Sequence, residues 1–214
     1  EIAVATTKGY TSQLSALYLL ALHFAKIREK VSDAEYHEMI QELKTLPEKI
    51  ESMLENKERI QYLANKYIGL KDVFFLGRGI DYASALEASL KLKEISYVHS
   101  EAYAAGELKH GTISLIEKGT LVVALVTQEL LYGKIVSNIV EVRTRGAFVL
   151  AVTNEDNKDI EKNADYVFYI PKTNRMFTGL MTMIPLQLFA YYVAVAKGCD
   201  VDQPRNLAKS VTTR

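Results

Sequence analysis

Glu87, Lys91 and Glu94 follow one another at spacings of four and three, which puts all three on one face if the segment is helical. A lysine beside a carboxylate stabilises its ionised form, and such a pair can take up and return a proton. The same spacing also describes an exposed ion-pair stripe of little energetic weight, and spacing alone favours that second reading. Another concentration of polar groups is SEAYAAGELKHG, residues 100–111, where Glu101, Glu107, Lys109 and His110 stand among small residues and two glycines. Of the four histidines, only His110 falls in a glycine-flanked polar segment read as a loop; His23 and His37 belong to helical runs and His99 to a helix end. An imidazole titrates near neutrality and suits general acid–base work. No two histidines have metal-ligand spacing and Cys199 is the only cysteine, so no metal site is expected.

Two further segments are ambiguous. Gly77-Arg78-Gly79 stands between a strand-like and a helix-like run, a place where backbone amides can face an anion. It is neither GxGxxG nor a P-loop, and a tight turn is the simpler reading. The tail CDVDQPRNLAKSVTTR has the composition of a frayed end. Val201, Leu207 and Val211 are nevertheless apolar, and if they anchor the tail, Lys209 can reach a site.

The elements that must position these groups are legible as changes of period. Residues 11–29 read as a helix with an apolar stripe of Leu14, Leu17, Leu20, Leu22 and Phe24. A more polar helix covers about 33–54, with Pro47 expected to split or kink it. A third covers 56–68, stopped by Gly69. Short apolar runs at 72–77, 121–127, 147–153 and 166–170 read as buried strands, separated by helical runs at 81–97 and 130–144 and followed by one at 178–196. Strands alternating with helices predict a three-layer α/β fold, a parallel sheet covered on both faces, with connector helices before it.

Composition narrows the function. Lys+Arg and Asp+Glu both number 26, so no polyanion-binding surface is expected and nucleic acid is not a partner. The lone cysteine fits a reducing, cytoplasmic setting. The stretch 177–196 is long enough to cross a bilayer, but its Thr, Gln, Pro and Tyr residues and the α/β pattern around it favour a buried core helix, with no membrane partner. The first residue is Glu rather than Met, and the opening reads as a loop feeding a helix, which suggests a piece of a longer protein.

GRGIDYASALEASLKLKEIS, SEAYAAGELKHG and DVDQPRNLAKSVT, in this order, resemble glucosamine-6-phosphate synthase, the glutamine:fructose-6-phosphate amidotransferase family. The opening ATTKGYTSQ is similar to the end of that family's first sugar-isomerase (SIS) domain, so the resemblance covers essentially the whole chain. It implies a flavodoxin-like SIS fold: residues 1–30 as the end of a first SIS domain, 31–68 as connector helices, 69–198 as a second SIS domain and 199–214 as a catalytic tail. Residue by residue, it implies Glu94 as the base that moves a proton between adjacent sugar carbons and Lys91 as the lysine beside it. His110 matches the histidine of ring opening, contributed across a homodimer interface, and Lys209 the amine that attacks the open-chain ketose. Ala208 and Val4 match pocket-lining backbone, and Glu1 and Thr6 sit in the matching loop. The implied partners are fructose-6-phosphate or glucosamine-6-phosphate, a second copy of the chain, and the glutaminase and first SIS domains of a parent chain. No metal or organic cofactor is implied. The ending SVTTR and the segment GTISLI depart from the family pattern. The loops that grip the sugar phosphate belong to the first SIS domain, so the piece alone is expected to be inactive. Another SIS enzyme, such as a sugar-phosphate deaminase, or a non-catalytic dimerising SIS module, are the alternatives.

Overall fold

The computed structural model describes residues 2–208. Its centre is a five-stranded parallel sheet of β1 (Asp72–Gly77), β2 (His99–Ala104), β3 (Leu121–Val126), β4 (Phe148–Asn154) and β5 (Tyr166–Ile170), in the order β2-β1-β3-β4-β5. β3 is buried along its whole length and β1 and β4 nearly so, which is why they read as unbroken apolar runs instead of alternating ones. Their side chains still divide between two layers. Val73, Phe75, Val123 and Val152 face one cluster and Phe74, Leu76, Val122 and Ala151 the other.

The first layer contains α4 (Ile80–Ser96) and α6 (Thr178–Ala196), which pack on each other, with α3 (Lys57–Lys66) against α6. The second contains α5 (Tyr132–Arg143) through Ile135, Ile139 and Val142, and the 3-10 turn Leu108–His110 through Leu108. α6 has a mean hydropathy of 1.5 and 61% of its apolar window is buried inside the protein, as the core-helix reading expects.

Several expectations are corrected. Residues 99–104, taken from sequence as a helix end and loop, form β2. This is an edge strand whose one deeply buried side chain is Ser100, hydrogen-bonded to Ser89 of α4. Such a strand carries no apolar run for a sequence reading to find. Pro47 neither splits nor ends α2 (Asp33–Leu54). Losing one amide donor is offset by a Ser32–Glu35 capping box at the helix start and by the burial of Leu46 and Met53. Glu42 further ties α2 to the loop before α6, accepting from Lys49 at 2.6 Å and from Thr173 at 2.6 Å. α3 ends at Lys66, short of Gly69, which does not have a left-handed backbone. In α1 (Lys8–Ile27) only Leu22 of the expected stripe is buried and Leu14 is partly so. Leu17, Leu20 and Phe24 are half exposed or more, because α1 packs on the core through Tyr10, Leu14, Tyr18 and Leu22.

Candidate active site on helix α4

Glu87, Lys91 and Glu94 of α4 form a largely buried group, not a solvated stripe. Lys91 is 4% exposed, and its ammonium lies 2.6 Å from Glu94 Oε2 and 3.5 Å from Glu87 Oε1. A lysine is buried this deeply only when paired, and here two carboxylates share one cation. The helix places them by spacing, while Ala85, Ala88, Leu92 and Ile95 hold its other face on the sheet. Glu94 Oε2 is shielded from solvent and, although close to the ammonium, makes no well-directed hydrogen bond. That oxygen keeps acceptor capacity for a proton. Tyr10 of α1 lies near the same group: its hydroxyl is pushed up to about 12 by burial, with the charges of Glu87 and Tyr18 adding to the shift.

The opposite end of α4 is arranged differently. Gly79 has φ +60 and Gly77 approaches the helix so closely that a Cβ would stand 2.4 Å from the carbonyl of Asp81. The turn therefore needs glycine at both places. The amides of Asp81 and Tyr82, at the start of the helix, donate to the carbonyls of Arg78 and Gly79, and the amide of Thr127, at the end of β3, donates to Asp81 Oδ2 at 2.8 Å. Thr127 Oγ1 donates to Asp81 Oδ1 at 2.5 Å. Asp81 is 2% exposed, and burial pushes its carboxyl above the ordinary carboxylate range against the pull of these hydrogen bonds. The crevice where parallel sheets bind ligands thus holds a carboxylate of the protein itself.

Of the remaining expected residues, Val4 is brought to the tail: its amide donates to the carbonyl of Asp202 at 3.0 Å. Thr6 is half-buried nearby in sequence and Ala208 is exposed. Val201 packs against the core as expected of an anchor, while Leu207 is 38% exposed. Glu1, Lys209 and Val211 lie outside the described residues. His110 is exposed at the end of its 3-10 turn, which packs on the face of the sheet opposite α4. One chain therefore does not bring His110 to Glu94. A cavity of about 320 Å³ lies against β5, lined by Asn56, Arg59, Glu155 and Tyr169 among others, and takes no residue from α4 or the tail. Among the described residues no three His, Cys, Asp or Glu side chains are grouped as metal ligands. Sequence reasoning missed Asp81 and Tyr10. An acidic residue two positions after the last turn glycine was the available signal for Asp81; Tyr10 had none.

Residues 66–197, more than half of the chain, match the SIS domain. The chain belongs to the SIS-domain family. The SIS chain is 58% identical over 212 residues to glutamine–fructose-6-phosphate aminotransferase (isomerizing) of Caldanaerobacter subterraneus subsp. tengcongensis, covering 99% of this chain and 35% of that protein. It spans about a third of the length of the curated relatives it matches, the C-terminal SIS part. Among solved structures it is similar to the C-terminal domain of glucosamine-fructose-6-phosphate aminotransferase from Francisella tularensis. That match has a TM-score of 0.89 and 37% identity, and covers 95% of this chain and 57% of the other. It is also similar to a glucosamine-6-phosphate deaminase from Thermotoga maritima, with a TM-score of 0.70 and 28% identity over 98% and 58% of the two chains.

Proposed function

We propose that this SIS chain is the isomerase part of an enzyme that converts fructose-6-phosphate and glutamine into glucosamine-6-phosphate and glutamate, working in the cytoplasm as a homodimer. In this reading residues 1–30 close a first SIS domain, 31–68 connect, 69–198 form the second SIS domain and 199–214 bring the tail to the site. The observation that carries it is the Lys91–Glu94 pair, in which a carboxylate oxygen is screened from water and held by charge without a directed hydrogen bond.

The chemistry follows from that geometry. A ketose imine carries acidic hydrogens on the neighbouring carbon. Glu94 removes one of them, and the electron pair moves toward the imine nitrogen. The same carboxyl, now protonated, returns the proton to the adjacent carbon, so no net proton is consumed. Lys91 lowers the charge density on Glu94 and can hold negative charge developing on a sugar oxygen. His110, from the second copy, serves ring opening. Lys209 supplies the amine that activates the ketone as an imine, with loss of water, and ammonia released from glutamine displaces the lysine amine to give the ketose imine on which Glu94 acts. Backbone at Val4 and Ala208, with Thr6 and Glu1 in the same loop, lines the pocket. The position of His110 on the other face of the sheet supports a site shared between copies.

A second reading is favoured by one observation. Asp81 fills the strand-end crevice, so a sugar phosphate needs a grip from outside this domain, and the chain by itself then acts as a dimerising module. Turnover of fructose-6-phosphate, measured for this chain and for a protein extended to the relatives' length, separates the two readings. The expected result is activity in the longer protein only, reduced about 10²- to 10⁴-fold by Glu94→Gln. A folded longer protein that does not turn over, or one indifferent to Glu94→Gln, would overturn the isomerase reading.

A further inference from the structure

Helix α4 ends one turn beyond Glu94, at Tyr97, which has a left-handed backbone with φ +59. A bulky residue seldom adopts this conformation without compensation. At Tyr97 the compensation is a contact with the tail. Its hydroxyl accepts the backbone amide of Arg205 at 2.8 Å, and the Arg205 guanidinium lies 4.2 Å from the centre of its ring. The segment leading there is held along its length. Cys199 Sγ lies 4.0 Å from the carbonyl of Ser96, and Asp200 Oδ1 accepts the amides of Asp202 and Gln203. The carbonyl of Asp202 accepts from Val4, and Pro204 is buried. Immediately beyond, Asn206 turns the chain through a left-handed conformation with φ +64. The tail is therefore pinned as far as Arg205, and the last pin is Tyr97.

We propose that Tyr97 is a positioning residue: it latches the C-terminal tail to the end of the helix that carries the base, so that the amine of Lys209 and the carboxylate of Glu94 share one reference point. The proposal rests on the reading of Lys209 as the amine that attacks the ketose. Covalent geometry supports it. Glu94 lies three residues before Tyr97, about one helical turn or roughly 5 Å along the axis. Lys209 follows Arg205 by four residues, a span of at most about 14 Å. With Arg205 fixed on Tyr97, the chain leaves toward Lys209 from a point tied to the helix that carries Glu94. Without the latch, the last fixed point moves back to Pro204 or Asp202 and the tether lengthens.

Two readouts test this. Trypsin needs the Arg205 side chain free, so cleavage after Arg205, followed by mass spectrometry of the released peptide 206–214, reports the latch without reference to activity. Tyr97→Gly suits this test because glycine accepts the left-handed backbone while removing both contacts, so the fold and the helix end are kept. Cleavage is expected to quicken at least about tenfold, the factor carried by one hydrogen bond and one cation–π contact together. Tyr97→Phe, which keeps the ring and loses the acceptor, should fall between. In a protein of the relatives' length, Tyr97→Phe should lower kcat while leaving the KM for fructose-6-phosphate nearly unchanged. Unchanged cleavage in a folded Tyr97→Gly protein would overturn the latch. Faster cleavage with unaltered kcat, in a protein that Lys209→Arg inactivates, would overturn the positioning role and leave the function intact. Full turnover in Lys209→Arg would sink the reading of the tail amine, whatever the latch does.

Discussion

The two ends of α4 carry carboxylates, one buried and one partly buried, under opposite arrangements. At the N-terminal end Asp81 is saturated: a backbone amide and a hydroxyl of Thr127 occupy its two oxygens, and its task is to fasten the helix to the end of β3. Toward the C-terminal end Glu94 is close to a cation but has an oxygen without a directed hydrogen bond. Burial is deeper at Asp81, which is 2% exposed, than at Glu94, whose side chain is 20% exposed, and the hydrogen bonding differs as well. A carboxylate whose lone pairs are all used holds structure, whereas one held only by charge can still exchange a proton. The helix thus places a hydrogen-bonded acid at the usual ligand crevice of a parallel sheet and one held by charge toward the far end.

The largest effect on this contrast is expected at Lys91. Lys91→Met leaves Glu87 and Glu94 facing each other without a cation, and denaturant unfolding should show a loss of about 3 kcal/mol, the lower part of the range for breaking a buried pair. The lower part applies because the two carboxylate side chains remain 19% and 20% exposed. A loss below about 1 kcal/mol, the range of exposed pairs, would return the group to the solvated stripe that spacing alone favours. Next comes Gly77→Ala, whose Cβ would meet the Asp81 backbone at 2.4 Å. A destabilisation of about 2 kcal/mol is expected from such a forced shift, read as a lowered melting temperature.

The smallest effect is read through pH. Burial raises the Asp81 carboxyl above its ordinary value of 3.8, so as pH rises the unfolded chain releases this proton first and the folded chain later. Over that interval the folded state binds more protons than the unfolded one. Asp81 therefore lowers stability with rising pH, beginning near its unfolded value and ending above its raised folded one. Subtracting the unfolding free energy of Asp81→Asn from that of the unaltered protein at each pH should give a difference that falls across this window and is flat above it. A difference that rises instead would show that the hydrogen bonds of Thr127 outweigh burial at Asp81.

Much of this was legible in the residues. The four strands rich in buried apolar side chains announced themselves as short apolar runs, and α6 was bounded correctly at 178–196, because a core helix flanked by polar segments has sharp compositional edges. The spacing of Glu87, Lys91 and Glu94 is enough by itself to give them a shared face. Spacing could not tell whether that face is wet or dry, since this depends on what the folded chain packs beside it; Tyr10 of α1, almost eighty residues earlier, is close enough to feel the charge of Glu87. β2 was not legible, because an edge strand needs little apolar surface and owes its existence to pairing with β1. Pro47 stays helical because tertiary contacts of α2 outweigh a local preference worth a few kcal/mol. The tail is polar enough to read as frayed, and contacts such as those with Tyr97 and Val4, each about a hundred residues or more away in sequence, hold its described part in place. Local order follows from composition and period, which the sequence carries on its face. Which charges are buried, and which distant segments are latched together, follows from long-range packing, and only the folded chain decides it.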